Sequence, residues 1–206
     1  MSDPHGWDLE RTALLTIDLQ NDFLHPDGAY GRAGHGCEAI AALPARVAPL
    51  ARALRRRGGT YLSAQFTLVP GPGGEPLISP HLKALRPFLG RGDFAPGAFG
   101  HALVDALAPA DYTVEKVAYS AFYQTRLEYL MRALGLDRLI VGGIVTNGGV
   151  ASTLRDAHLR GIDTVMLTDG CAAFDGAVHE ATLTSLATVT HRMTCAEAAT
   201  WLEAGG

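Results

Sequence analysis

Three stretches of the sequence hold groups able to do chemistry together. Asp18 closes an apolar run in TIDLQNDF, Lys116 closes another in TVEKVAYSAF, and GGIVTNGGV (142–150) leaves a β-branched strand for a helix with glycines in its first turn. A carboxyl leaving a hydrophobic strand is partly desolvated, which raises its pKa toward a value useful for proton transfer. The purely structural role of such an Asp is to cap a turn. Lys116 and Lys83 are the lysines of an arginine-rich chain, and an ammonium offers compact charge with three rotatable donors. A strand-to-helix corner presents amides that can hold a developing oxyanion. Such corners commonly mount a nucleophile, and this one carries none.

Other chemistries fail on spacing. From Gly143 the corner has G-x-x-x-x-G spacing, but Gly149 and Val150 stand where a phosphate-binding loop needs Lys and Ser or Thr. G-x-G-x-x-G is not matched either. The 8 histidines are scattered without an HxH or HxxxH pair, so no metal and no cofactor is expected. The 3 cysteines, Cys37, Cys171 and Cys195, are odd in number and far apart, which speaks against a disulfide framework.

The elements that must position these groups read as α/β. ALLTIDL (13–19), TYLSAQ (60–65), TVEKV (113–117), RLIVGGIV (138–145) and DTVMLTD (163–169) are short apolar runs bounded by Gly, Pro or Asp, the pattern of buried parallel strands. Helical patterns lie between them at 38–58, 124–135, 147–161 and 177–191, the first interrupted by prolines. A short strand at Arg192–Met193 and a closing helix from Thr194, with Glu197 completing a capping box, give six strands in a three-layer, doubly wound parallel sheet with helices on both faces. In such a sheet ligands bind outside the carboxyl ends of the strands, where Asp18, Lys116 and the glycine corner all fall. The Gly- and Pro-rich segment 66–99 is either a substrate-enclosing lid or a disordered surface excursion. Phe23, Phe66, Tyr119 and Phe122 are candidate apolar walls, with core packing the alternative for each.

Composition bounds the rest. With 206 residues, 48% hydrophobic and 18% charged, the chain is read as one domain, residues 1–206, and its net charge of −4 offers no basic field for nucleic acid. No run of 18 apolar residues suggests a membrane span and the first residues do not resemble a signal peptide, so a cytoplasmic protein with a small-molecule substrate is expected.

The motifs TIDLQNDFL, VEKVAYSAFYQTRLEYLMR and VGGIVTNGGVASTLRDAHLRGIDTVMLTDGCAAF, in this order, resemble the isochorismatase-like hydrolase superfamily over most of the chain. The resemblance implies a six-stranded parallel sheet and a homodimer or larger homo-oligomer. In the amidase branch T-N-x-C-V presents a nucleophilic cysteine. Here Thr146, Asn147, Gly148, Gly149 and Val150 put Gly149 in its place, which marks a thiol-free, Cys-to-Gly chain. Cys171, after the next strand, is no replacement.

True isochorismatases also lack that thiol and cleave a vinyl ether, and the YSAF run and Gln65 match them. By that analogy Asp18 is the general acid, Lys116 orients it, Gln65 binds substrate and the Thr146–Asn147–Gly148–Gly149 corner forms an anion pocket. Two departures stand out: Val145 replaces a tyrosine, and PGPGGEPLISPHLK lacks the arginine that meets a substrate carboxylate. Arg86 is displaced from that position, leaving Arg32 or Arg91 to compensate. A neighbouring ammonium also favours the ionised carboxylate, so an acid role for Asp18 requires strong desolvation. The expectation is metal-free ether hydrolysis. The alternatives are a cysteine-free hydrolase of a small amide, imide or ester, and an inert ligand-binding protein of the same fold.

Overall fold

The computed structural model describes residues 3–204. Two short 3₁₀ turns lead into β1 (Thr12–Ile17), followed by α1 (Asn21–Leu24), α2 (Ala29–Arg32), α3 (Glu38–Ala41), α4 (Leu43–Arg56) and β2 (Thr60–Phe66). The middle of the chain holds α5 (Pro80–Leu85), β3 (Tyr112–Lys116), α6 (Leu127–Ala133) and β4 (Arg138–Ile144). A π-helical turn (Thr146–Val150) then enters α7 (Ala151–Leu159), and β5 (Asp163–Ala172), α8 (Gly176–Ser185), β6 (His191–Met193) and α9 (Cys195–Ala204) complete the fold. The sheet is six-stranded and parallel throughout, in the order β3-β2-β1-β4-β5-β6.

Alternation along the strands builds two cores. Ala13, Leu15 and Ile17 of β1 face a cluster with Leu127 and Met131 of α6, Leu154 of α7 and Leu186, while Leu14 faces Val47, Leu50 and Leu54 of α4 and Trp201 and Leu202 of α9. Each such side chain contributes about 1.5–3 kcal/mol by leaving water. In α4 the buried Leu43, Val47, Leu50, Ala51 and Leu54 repeat at helical spacing and form one apolar stripe. The capping box is present: Thr194 N donates to Glu197 Oε2 at 2.7 Å and Glu197 N to Thr194 Oγ1 at 3.1 Å.

Three helices differ from their sequence patterns. The 38–58 pattern divides at Ala42, because Pro44 in the first turn of α4 has no N–H to continue a helix from α3. Helix α6 starts only at Leu127: Thr125 Oγ1 donates to Ala121 O at 2.5 Å and accepts from Leu127 N at 3.1 Å, a local alternative to the helical ladder. Helix α8 stops at Ser185, and beyond it the Thr190 hydroxyl pairs with Thr164 at 2.7 Å. The disordered alternative for 66–99 is not what the chain does. Leu68, Leu89 and Phe94 pack with Ala29 and Tyr30, and the buried Asp22 carboxylate accepts from Ala29 N at 2.8 Å and Phe94 N at 2.6 Å.

Register delivers the site. Ile17 lies beside both Ala64 and Gly143, and Phe66 beside Lys116, so the ends of β1, β2, β3 and β4 converge on one edge. Gly143 has φ +122°, and a Cβ there would lie 2.1 Å from Ile17 O; only glycine allows β4 this close to β1 where the register with β5 shifts.

Candidate active site

Asp18 is the residue after β1 and adopts a left-handed φ of 58°, turning its carboxylate back over the sheet edge. Its N–H donates to Ala64 O at 2.9 Å, which ties the turn to β2. Oδ1 accepts from Phe66 N at 3.0 Å, and Oδ2 accepts from Lys116 Nζ at 2.8 Å. Lys116 Nζ donates also to Ala118 O at 3.1 Å and lies 5.6 Å from the Phe66 ring centroid. Asp18 is 5% exposed and Lys116 1%. Burial pushes the Asp18 carboxyl above its ordinary range, while the Lys116 ammonium and the Phe66 amide pull it back.

Gly149 lines the same cavity as this pair. A Cβ on Gly149 would stand 3.3 Å from Asp18 Oδ2, but also 2.9 Å from both Ile144 O and Ile17 Cγ2. The position a nucleophile would take thus faces the carboxylate, and this backbone has closed around glycine. Ile144–Val145, just before the corner, is a cis peptide. Thr153 Oγ1 donates to Gly149 O at 2.7 Å and accepts from Ala121 N at 3.0 Å, tying the corner to the segment after β3. Nothing in the motif spacing pointed to Thr153.

The cavity has a volume of about 280 Å³. Phe23, Tyr30, Phe66, Tyr119 and Phe174 form its aromatic walls, with Tyr30 and Phe174 stacked at 5.4 Å. Asn147 and Gly148 line an adjoining space that shares Arg86, Tyr119, Val145 and Phe174 with it. Three predicted substrate contacts are not among the lining residues. Gln65 is buried on β2, one residue before Phe66, whose alternation turns it to the cavity. Phe122 packs in the core, with the Arg160 guanidinium 4.9 Å from its ring centre. Thr146 is buried, and its hydroxyl pairs with His179 Nδ1 at 2.8 Å. His179→Ala leaves that hydroxyl without its partner and is expected to cost about 1–3 kcal/mol, read as a lower urea midpoint at unchanged m-value.

Arg86, set aside from sequence because it is displaced, lines the cavity at the end of α5. Arg32 and Arg91 are instead paired with Asp93 and Glu75, at 2.5 and 3.3 Å. No thiol lines the cavity among the described residues. Burial pushes Cys171 far up and Cys195 up to about 12, and Cys37 lies against Ala173 O. No group of three or more His, Cys, Asp or Glu able to hold a metal ion occurs among the described residues, and no described helix is long and apolar enough to cross a membrane.

A carboxylate, an ammonium and a strand-to-helix corner at the carboxyl edge of a doubly wound sheet define a hydrolase-type site. The isochorismatase-domain family profile matches residues 12–198, and the chain belongs to that family. Ureidoacrylate amidohydrolase RutB of Methylorubrum extorquens is 33% identical over 178 residues, 81% of this chain and 72% of the relative. A cysteine hydrolase from Pseudomonas syringae pv. phaseolicola 1448A superposes with TM-score 0.84 at 27% identity, covering 100% of both chains. N-carbamoylsarcosine amidase from Thermoplasma acidophilum shares the fold at TM-score 0.72 and 22% identity, over 90% of this chain and 96% of its own.

These relatives correct the expectation that vinyl-ether cleavage outranks C–N hydrolysis: the sequence relative is an amidohydrolase. The geometry agrees with the correction. Gln65, part of the case for the ether, does not line the cavity.

Proposed function

We propose that this chain is a small-molecule amidohydrolase that cleaves a C–N bond, of the amide or ureide type, with water in place of a thiol. The observation that supports it is the position of Gly149 against Asp18 Oδ2: on the side of the corner, where a side-chain nucleophile would stand, the carboxylate meets only backbone and cavity. In this reading ionised Asp18 takes a proton from water as the water oxygen bonds to the substrate carbonyl carbon. Lys116 and the amides of the 146–149 corner stabilise the oxyanion. The C–N bond then breaks, Asp18 returns the proton to the leaving nitrogen, and the products are an acid (a carbamic acid for a ureide) and an amine or ammonia. A pocket of about 280 Å³ suits a substrate of this size. Exposed Val117 and Tyr119 at its rim support a second copy packing there, as in a cytoplasmic homo-oligomer.

Ammonia release from a panel of small ureides and amides tests the reaction, and thiol alkylation tests the nucleophile. Pretreatment with iodoacetamide is expected to leave the rate within about twofold, since Cys171 and Cys195 are buried and the half-buried Cys37 does not line the cavity. Loss of activity in proportion to one alkylated cysteine would replace water with thiol chemistry.

A further inference from the structure

We infer that Gln20 is a positioning residue of the reaction, competing with Asp18 for the Phe66 N–H and so keeping the Asp18 carboxylate the stronger base. This deepens the amidohydrolase reading and rests on it for the role of Asp18. The Phe66 amide has one hydrogen and two acceptors, Gln20 Oε1 at 2.8 Å and Asp18 Oδ1 at 3.0 Å. A three-centre bond gives each acceptor less than a bond of its own. A hydrogen bond partly withheld from a carboxylate leaves its charged form less stabilised, so the group holds a proton more readily.

Gln20 cannot turn away from this contact. It is fully buried, and its Nε2 donates to Phe66 O and to His101 O, both at 2.9 Å. Flipping the amide would set Nε2 against the Phe66 N–H and Oε1 against two carbonyl oxygens, so the partners fix which end meets Phe66 N. One side chain thereby holds both backbone polar groups of Phe66, whose ring is a cavity wall beside Lys116. The next two residues grip the same covering segment: Asn21 Nδ2 donates to Phe99 O at 2.9 Å, and Asp22 Oδ2 accepts from Phe94 N at 2.6 Å. The segment therefore does not hang on Gln20 alone, and loss of its amide is felt first at Phe66. The other titratable and charged groups around the cavity with Asp18 are Lys116 of β3, Tyr30 of α2, Tyr119 beyond β3, and His81 and Arg86 at α5. All are common to wild type and to Gln20 variants, so a difference between these reports Gln20.

The test is a carbon-13 NMR titration of the Asp18 carboxyl in the full chain, labelled at aspartate Cγ and assigned by the signal missing from Asp18→Asn. Gln20→Met fills nearly the same volume with neither the amide acceptor nor its donors, and gives the Phe66 N–H to Asp18 alone. Its Asp18 midpoint should drop by about half a pH unit to one, the difference between a shared and a whole hydrogen bond to a charged group. The acid limb of kcat/KM should move down with it, and the plateau above should fall by roughly two- to threefold as the base weakens. In Gln20→Glu a protonated side chain still offers Phe66 N an acceptor, and an ionised one adds a like charge near Asp18, so the midpoint should not fall below that of wild type. Should Gln20→Met fold poorly, wild type decides: the Phe66 amide and the Gln20 side-chain amide resonances should titrate with the Asp18 midpoint, because they share one hydrogen. An unmoved or raised midpoint in Gln20→Met, an equal drop in Gln20→Glu, or Gln20 resonances blind to Asp18 ionisation would overturn the inference. The carboxyl titration needs no turnover. A lowered midpoint in Gln20→Met with no ureide or amide hydrolysed by wild type overturns the amidohydrolase reading and leaves the hold of Gln20 on Asp18 standing; turnover with an unmoved midpoint does the reverse.

Discussion

Asp18→Asn is expected to lower kcat/KM for C–N hydrolysis by on the order of 10³-fold, the usual contribution of a positioned general base. Asparagine is nearly isosteric and its one carbonyl oxygen can still accept from Phe66 N, while its amide nitrogen, a donor, cannot accept from Lys116 Nζ, so the loss of proton transfer is read on folded protein only. The wild-type pH profile supplies a second readout. Burial raises the Asp18 carboxyl despite Lys116, and a base works ionised, so activity should rise with pH through a midpoint above the ordinary carboxyl range. The opposite slope, activity falling as Asp18 ionises, would make it the acid.

Stability carries the matching sign. A carboxyl whose folded pKa is raised binds its proton more tightly in the folded state. Its contribution is complete below the unfolded value and is lost as pH rises through the folded one. Asp18→Asn removes that dependence. It also leaves the 1%-exposed Lys116 without its counter-charge, and breaking a buried pair typically costs about 3–5 kcal/mol. Rates should therefore be normalised to folded protein, measured by circular dichroism at the assay temperature.

Asp18 and Lys116 were legible in the sequence for a physical reason. A parallel sheet places the ends of its central strands on one edge, and a charged residue ending an apolar run has few other places to go. Strand limits followed the β-branched runs closely, from Thr12–Ile17 to Arg138–Ile144. Arg86 and Tyr30 were not legible, because α5 and α2 are short elements whose approach depends on the aromatic packing of Phe23, Phe66, Phe88 and Phe94. No periodicity encodes that packing. Gln65 shows the converse failure. Resemblance assigned it to substrate, but the twofold alternation of β2 gives the cavity to its neighbour Phe66. Thr146 fell on the right corner yet pairs with His179 from α8, a contact between residues 33 apart.

Gly149→Cys decides whether the corner is an amidase that has merely lost its sulfur. If only the thiol were missing, restoring it would place a nucleophile beside Asp18 and raise turnover. The backbone argues otherwise. A Cβ at 149 would stand 2.9 Å from Ile144 O and from Ile17 Cγ2, closer than a carbon and either atom can rest. Ile17 is fully buried in the central strand, and Ile144 ends β4, so neither can yield cheaply. Overpacking of this kind costs about 1–3 kcal/mol. Gly149→Ala carries the same Cβ without the sulfur, so it measures the steric part alone. Both variants are expected to melt lower than wild type and to hydrolyse more slowly, because relief of the clash moves the corner away from Asp18. Gly149→Cys should gain no burst of acyl-enzyme in rapid-quench assays. A faster Gly149→Cys enzyme, inactivated by one equivalent of iodoacetamide while Gly149→Ala stays inert, would show instead that the cradle remains shaped for a thiol.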